Sequence, residues 1–198
     1  QIYYTDTEAL QNRDPALAPF TRTFYADHEI DFCKSRRTWI YALTMAGNLL
    51  HYERYGGLVQ FMCFNNLCNT SGQSCIEVSK QESILTASGL LLKWMSRTAA
   101  AWPLEIDGYE ADSLKSVEIQ ASWNLDRTEL VIDFVNKCDQ NTRVTLDFSR
   151  LGRSFSRFRT VRLSADDGDI QETIQSHGNI REEVHCGSFI IEGSQTFD

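Results

Sequence analysis

The chain has 198 residues, 42% hydrophobic and 11% aromatic, which suffices for an ordinary core in one large domain or two smaller ones. Its net charge of −8 argues against a nucleic-acid partner, and no Lys/Arg run exceeds Arg36-Arg37. No apolar stretch reaches the ~18 residues of a membrane span, so no membrane partner is expected.

The chain opens without Met, basic n-region or leader-like apolar run, directly on the strand-like Ile2-Tyr3-Tyr4-Thr5-Asp6-Thr7-Glu8. Position 1 is therefore expected to be a processing point, with polypeptide upstream. After Pro15 and Pro19, residues 20–28 suit a short helix. Thr38 to Tyr55 is the clearest helix: Trp39, Leu43, Ala46, Leu50 and Glu53 recur at steps of three and four, and Gly56-Gly57 ends it. Residues 58–64 are an almost continuous apolar run, as in a strand covered on both faces. Thr86 or Ser88 caps a second helix running to about Ala100, with Leu90, Leu91, Trp94 and Met95 on its apolar side; Trp102-Pro103 stops it. Strand, helix, strand, helix implies parallel strands with crossover helices. Two such strands leave both long edges open, so this half is expected to complete a sheet supplied by an upstream polypeptide.

After Pro103 the texture changes to short strands with polar turns, at Ser116–Trp123, Glu129–Asn136, Arg143–Phe148, Phe158–Leu163 and Val184–Ile191. Leu130, Ile132 and Phe134 alternate there with Val131, Asp133 and Val135. The six cysteines show no paired C-x-x-C arrangement for zinc. Cys68 and Cys75 bracket a polar loop suited to a local disulfide, and that loop carries an N-glycosylation acceptor at Asn69. Cys138 and Cys186 are the other preferred pair, with Cys33 left for Cys63 or the upstream chain, although connectivity is not fixed by sequence. Even cysteines and a sequon point to the secretory pathway, extracellular or lysosomal.

These residues resemble a known family. The run from Thr38 to Arg54 looks like the penultimate barrel helix of α-L-arabinofuranosidase-like clan A glycoside hydrolases, and residues 59–66 look like the final barrel strand. Leu85-Thr86-Ala87-Ser88-Gly89 is similar to the family's turn into the last helix, and Leu130 to Lys137 to a strand of its C-terminal sandwich. The resemblance spans roughly residues 1–150. It implies that Glu8, in Thr7-Glu8 at the end of the opening strand, is the nucleophile of a retaining reaction, since barrel chemistry gathers at the C-terminal ends of strands. The acid/base carboxyl, required about 5–5.5 Å away, would lie on the missing chain.

Plainer readings stand beside these. Glu8 also fits a solvated loop carboxylate, and Asp6 is the reserve candidate. Asn65 and Asn66 at the end of the last barrel strand suit sugar hydroxyls or loop capping. Trp39 and Trp94 read as core, and Tyr3 and Tyr4 as barrel interior. His28, His51, His177 and His185 show no metal spacing, and Asp166-Asp167-Gly168-Asp169 is expected to be a β-turn rather than a calcium loop. There is no Gly-x-Ser-x-Gly, phosphate loop or dinucleotide fingerprint. No metal and no cofactor are expected.

The expected fold is therefore α/β plus all-β: residues 1–103 supply the last strands and helices of a (β/α)8 TIM barrel, and residues 104–198 an antiparallel β-sandwich. The expected function is retaining hydrolysis of plant-type polysaccharide or oligosaccharide, active only with the upstream polypeptide. The substrate is an α-L-arabinofuranoside or, alternatively, a β-1,4-glucan, xylan or glucuronide. A non-catalytic carbohydrate-binding module or subunit is the competing class.

Overall fold

The computed structural model describes residues 38–56, 58–59, 67–69, 74–98, 101–108, 117–138, 141–188 and 190–197. The segments expected to form the opening strand and the short helix, and residues 60–66 of the last barrel strand, lie outside the described residues. The barrel half of the expectation rests largely on them.

Helix α1, Trp39–Arg54, starts where the sequence signals it: the Thr38 hydroxyl accepts from the Tyr41 amide at 3.4 Å. Its buried residues are Trp39, Ala42, Met45, Ala46, Gly47, Leu49 and Leu50, a band too broad for one covered face. Helix α2, Ala87–Thr98, packs on one side, and Leu43 touches both apolar clusters. The first cluster joins Trp39 and Ala42 to Ala87 and Ile180; the second joins Ala46 and Leu50 to Val135. Fully burying a side chain such as Leu50 contributes about 2 kcal/mol.

Thr86 is the cap of α2: its hydroxyl accepts from the Gly89 amide at 3.3 Å and donates to the Ser74 carbonyl at 2.6 Å. Gly89 is required by close approach, because a Cβ there would land on the carbonyl oxygen of Cys75.

The strands are β1 (Ile76–Val78), β2 (Ser83–Leu85), β3 (Trp102–Leu104), β4 (Val117–Trp123), β5 (Leu130–Asn136), β6 (Val144–Asp147), β7 (Phe158–Ser164), β8 (Arg181–Gly187) and β9 (Ser194–Phe197). All pair antiparallel: β1 with β2, β3 with β4 and β4 with β5, β6 with β9, and β7 with β8. The arrangement is mixed α/β, dominated by antiparallel sheets and consistent with a β-sandwich. The one parallel pairing among the described residues is the isolated bridge Cys68↔Ile76.

Several expectations shift. Trp102-Pro103 does not merely stop α2; it lies in β3, so residue 103 falls inside the first strand of the three-stranded sheet. Pro103 is tolerated because β3 is an edge strand of that sheet. The last expected strand begins earlier, at Arg181, because its polar Arg181-Glu182-Glu183 segment pairs with β7.

The two halves of the chain interlock. The α1 amides of Trp39 and Ile40 donate to the carbonyls of Ile170 (2.8 Å) and Gly168 (2.9 Å). These two backbone carbonyls thus satisfy two of the orphan donors of the helix N-terminus.

Candidate functional site

The register of β4 and β5 decides what lies under α1. Glu118, Gln120 and Ser122 share a face with Val131, Asp133 and Val135, because Glu118 pairs with Val135, Gln120 with Asp133 and Ser122 with Val131. Val135 on this face packs against Ala46 and Leu50 of α1. The opposite face carries Val117 and Ile119, both buried. A polar layer is therefore trapped between helix and sheet.

That layer is well bonded. Arg54 donates from Nε to Gln120 Oε1 at 3.2 Å and from Nη2 to the Ile119 carbonyl at 2.9 Å. Gln120, almost wholly buried, donates in turn to the Ala121 carbonyl at 2.8 Å. Lys137 is ion-paired with Glu118, against Gly47 of α1; a Cβ at Gly47 would lie 2.9 Å from both partners.

Two carboxyls in the layer have displaced acidities. Burial pushes Glu53 up to about 7, with the Asp133 charge adding to it. Burial pushes Asp133 up to about 6. Such a pair can hold a proton near neutral pH, the property of an acid/base group. Neither residue lines the two open grooves described below. The sequence signal was visible: Glu53 falls on the apolar phase of its helix, and Asp133 on the Val131/Val135 phase of its strand.

One groove, of about 310 Å³, is lined by Phe148, Ser149, Gly152, Arg153, Ser154, Glu192 and Gly193. Its Arg153 continues into an aromatic row. Trp102 and Trp123 are direct cross-strand partners, and Phe155 stacks on Trp123 at 6.0 Å between centroids. Arg127 lies over the Trp102 ring at 5.1 Å and Arg153 over Trp123 at 5.3 Å. A second groove, about 270 Å³, lies between Asn69, Glu77, Val78, Ser79, Ile174 and Gln175.

Of the sequence-predicted site residues, Glu8, Asp6, Asn65 and Asn66 lie outside the described residues, as do Cys33 and Cys63. Asn69 is placed at the second groove with a positive φ of 49°. Its side-chain amide imitates a strand partner: Oδ1 accepts from the Val78 amide at 2.7 Å and Nδ2 donates to the Val78 carbonyl at 2.9 Å.

Cys68, Cys75, Cys138 and Cys186, the residues of the two expected pairs, all lie among the described residues. Cys75, Cys138 and Cys186 are thiols. Cys68 forms an isolated bridge with Ile76, and Cys75 precedes β1. Cys75 is buried and its thiol is pushed up to about 11 by that burial, whereas Cys68 is exposed. Cys186 lies opposite Arg159 in the β7–β8 ladder, and Cys138 follows β5 in another sheet.

Trp39 is core, as expected. Trp94 is not fully enclosed: it is half-buried beneath Lys93 (5.0 Å), Arg97 (5.4 Å) and Arg159 (5.9 Å). Among the described residues no cluster of three or more His, Cys, Asp or Glu suits a metal ion, and no helix is long and apolar enough to cross a membrane.

No family model matches the chain, and no curated protein sequence matches it. Among solved structures, an arabinose-bound MgGH51 α-L-arabinofuranosidase is similar, with a TM-score of 0.66 at 13% identity. The likeness covers 81% of this chain and 26% of that one. At this identity the likeness is a distant one of fold alone.

Proposed function

We propose that the chain forms the C-terminal part of a secreted retaining glycoside hydrolase acting on plant-type polysaccharide or oligosaccharide, with α-L-arabinofuranosides the first substrates to test. The carrying observation is the fold similarity to the MgGH51 enzyme across 81% of the chain. The chain spans only 26% of that structure, so an upstream polypeptide of the same precursor would supply the remaining barrel strands and the acid/base carboxyl. Glu8 would be the nucleophile, attacking the anomeric carbon while the acid/base group protonates the leaving oxygen; water then hydrolyses the glycosyl-enzyme. Asn65 and Asn66 would hold sugar hydroxyls.

The test is purification of the native protein without reduction, with N-terminal sequencing and assay on aryl glycosides. A copurifying second polypeptide, with activity abolished by Glu8→Gln, is the expected result. Full activity in Glu8→Gln would remove the nucleophile assignment, and a lone, folded, inactive chain would remove the hydrolase reading. The second reading, a non-catalytic glycan-binding subunit, is favoured by the accessible indole of Trp102.

A further inference from the structure

We propose that the hairpin end of the three-stranded sheet is a binding surface for an acidic saccharide, a short chain carrying uronic-acid carboxylates. Trp102 and Trp123 face the same way because they are cross-strand partners, and Phe155 extends the row by stacking on Trp123. Trp102 is 46% exposed, and Leu125 beside it 78%. Apolar side chains gathered side by side at a surface mark an interaction site more often than apolar residues scattered singly.

The rings are held in place. The Trp102 indole N–H donates to the Leu125 carbonyl at 3.2 Å. The connecting loop is stapled by Asn124, whose Oδ1 accepts from the Thr128 (2.9 Å) and Glu129 (3.0 Å) amides. Arg127 stands in this loop with a φ of +57°, a left-handed conformation unfavourable for arginine. Arg153 donates from Nη1 to the Arg127 backbone carbonyl at 2.9 Å, which ties its segment to this loop, and the two guanidiniums lie over the paired rings of Trp123 and Trp102.

The charge selects the ligand. Among the described residues neither Arg127 nor Arg153 has a carboxylate within ion-pair distance, in a chain of net charge −8. A guanidinium with no carboxylate in ion-pair contact is suited to bidentate carboxylate binding, and the surface offers two. The adjoining groove offers Ser149 and Ser154 hydroxyls and the Glu192 carboxylate. These accept hydrogen bonds from sugar hydroxyls, which a phosphate backbone does not offer in such number. Indole and phenyl faces meet the C–H face of a pyranose ring. Rings, guanidiniums and hydroxyl acceptors together match a uronate-bearing sugar.

The choice of a saccharide rests on the glycosidase reading; the preference for an anion rests on the arginines alone. Binding is measured with the full chain by tryptophan fluorescence and calorimetry, using oligogalacturonate and glucuronoxylan fragments. Neutral xylo-oligosaccharides and a short single-stranded DNA serve as comparisons. Saturable binding of the acidic sugars is expected, weakened about tenfold by Arg127→Gln or by Arg153→Gln, with an unchanged circular-dichroism spectrum. Trp102→Ala should reduce the fluorescence response and the affinity together. Equal affinity for neutral and acidic sugars, preference for the DNA, absence of saturable binding, or binding indifferent to both arginine variants would each overturn the proposal. Acidic-sugar binding without hydrolase activity in the native assembly would retain this site and remove the glycosidase reading; hydrolase activity without binding would do the reverse.

Discussion

Two indole clusters in this molecule use the same side-chain chemistry and end differently. Trp94, on α2, lies beneath Lys93, Arg97 and Arg159, and that group is closed by Glu182, which Lys93 contacts at 2.8 Å. The Lys93 hydrogen bond, first among its causes, holds the Glu182 carboxyl below the usual range. Trp102 and Trp123 carry Arg127 and Arg153, and among the described residues no carboxylate completes them. One carboxylate separates a packing device from a surface with unspent charge. The positions explain it: Glu182 shares a sheet face with Leu163 and Arg159 because β7 and β8 are in register, whereas the hairpin end of β4–β5 lies beyond the ladders.

The largest expected effect tests the closed cluster. Gly89→Ala drives a methyl group onto the Cys75 carbonyl and forces the start of α2 away from its seat. A loss of about 3 kcal/mol is expected, because backbone cannot yield as a flexible side chain does. Denaturant unfolding measures it; a loss below about 1 kcal/mol would show that α2 is not seated as described.

The polar layer under α1 gives a pH effect of intermediate size. Glu53 and Asp133 hold protons more tightly folded than unfolded, so the folded state binds more protons between their ordinary values and about 7 and 6. Their stabilising contribution is complete below pH ~4 and is lost as pH rises through that window. Arg54 and the Lys137–Glu118 pair are the charged groups of the same layer. Asp133→Asn or Glu53→Gln should raise Tm at pH 8 by about 2–4 °C and flatten the decline between pH 4 and 8. A decline equally steep in both variants would place the titrating group elsewhere.

Glu182→Gln sharpens the comparison directly. The Lys93 contact is an exposed ion pair, so stability should change by no more than about 1 kcal/mol. Removing the counter-charge leaves three cations around Trp94, and the variant should gain weak, salt-sensitive affinity for oligogalacturonate that the parent lacks at this position. The smallest effect belongs to the open cluster: Arg127→Gln and Arg153→Gln should each alter stability by less than about 0.5 kcal/mol while changing binding. Losses of several kcal/mol there would mean that the arginines hold the fold.

Much of the local structure was legible. Thr38 before an apolar band at helical spacing announced α1, and the alternation in β5 gave a strand within a residue of its observed start. The short hairpin β1–β2 was not legible, because three-residue strands carry too few positions to display a period. The candidate chemistry was half visible. Glu53 and Asp133 announced themselves as carboxylates on apolar phases, yet nothing in the sequence said that they share a layer. The Arg127–Trp102 and Arg153–Trp123 pairs left no signal, since each joins residues whose proximity depends on a turn or a stacked segment.

By itself the sequence determined the capped helices, the strand-rich second half and a net charge unfavourable to nucleic acid, because these follow from local periodicity, capping chemistry and composition. Only the tertiary structure decided which charges are spent and which are open. The Gly168 and Ile170 carbonyls cap a helix distant in sequence, and Glu182 pairs with Lys93 in one cation cluster while Arg127 and Arg153 lie exposed over Trp102 and Trp123. Strand register and loop placement set those distances, and neither is encoded in any window of neighbouring residues.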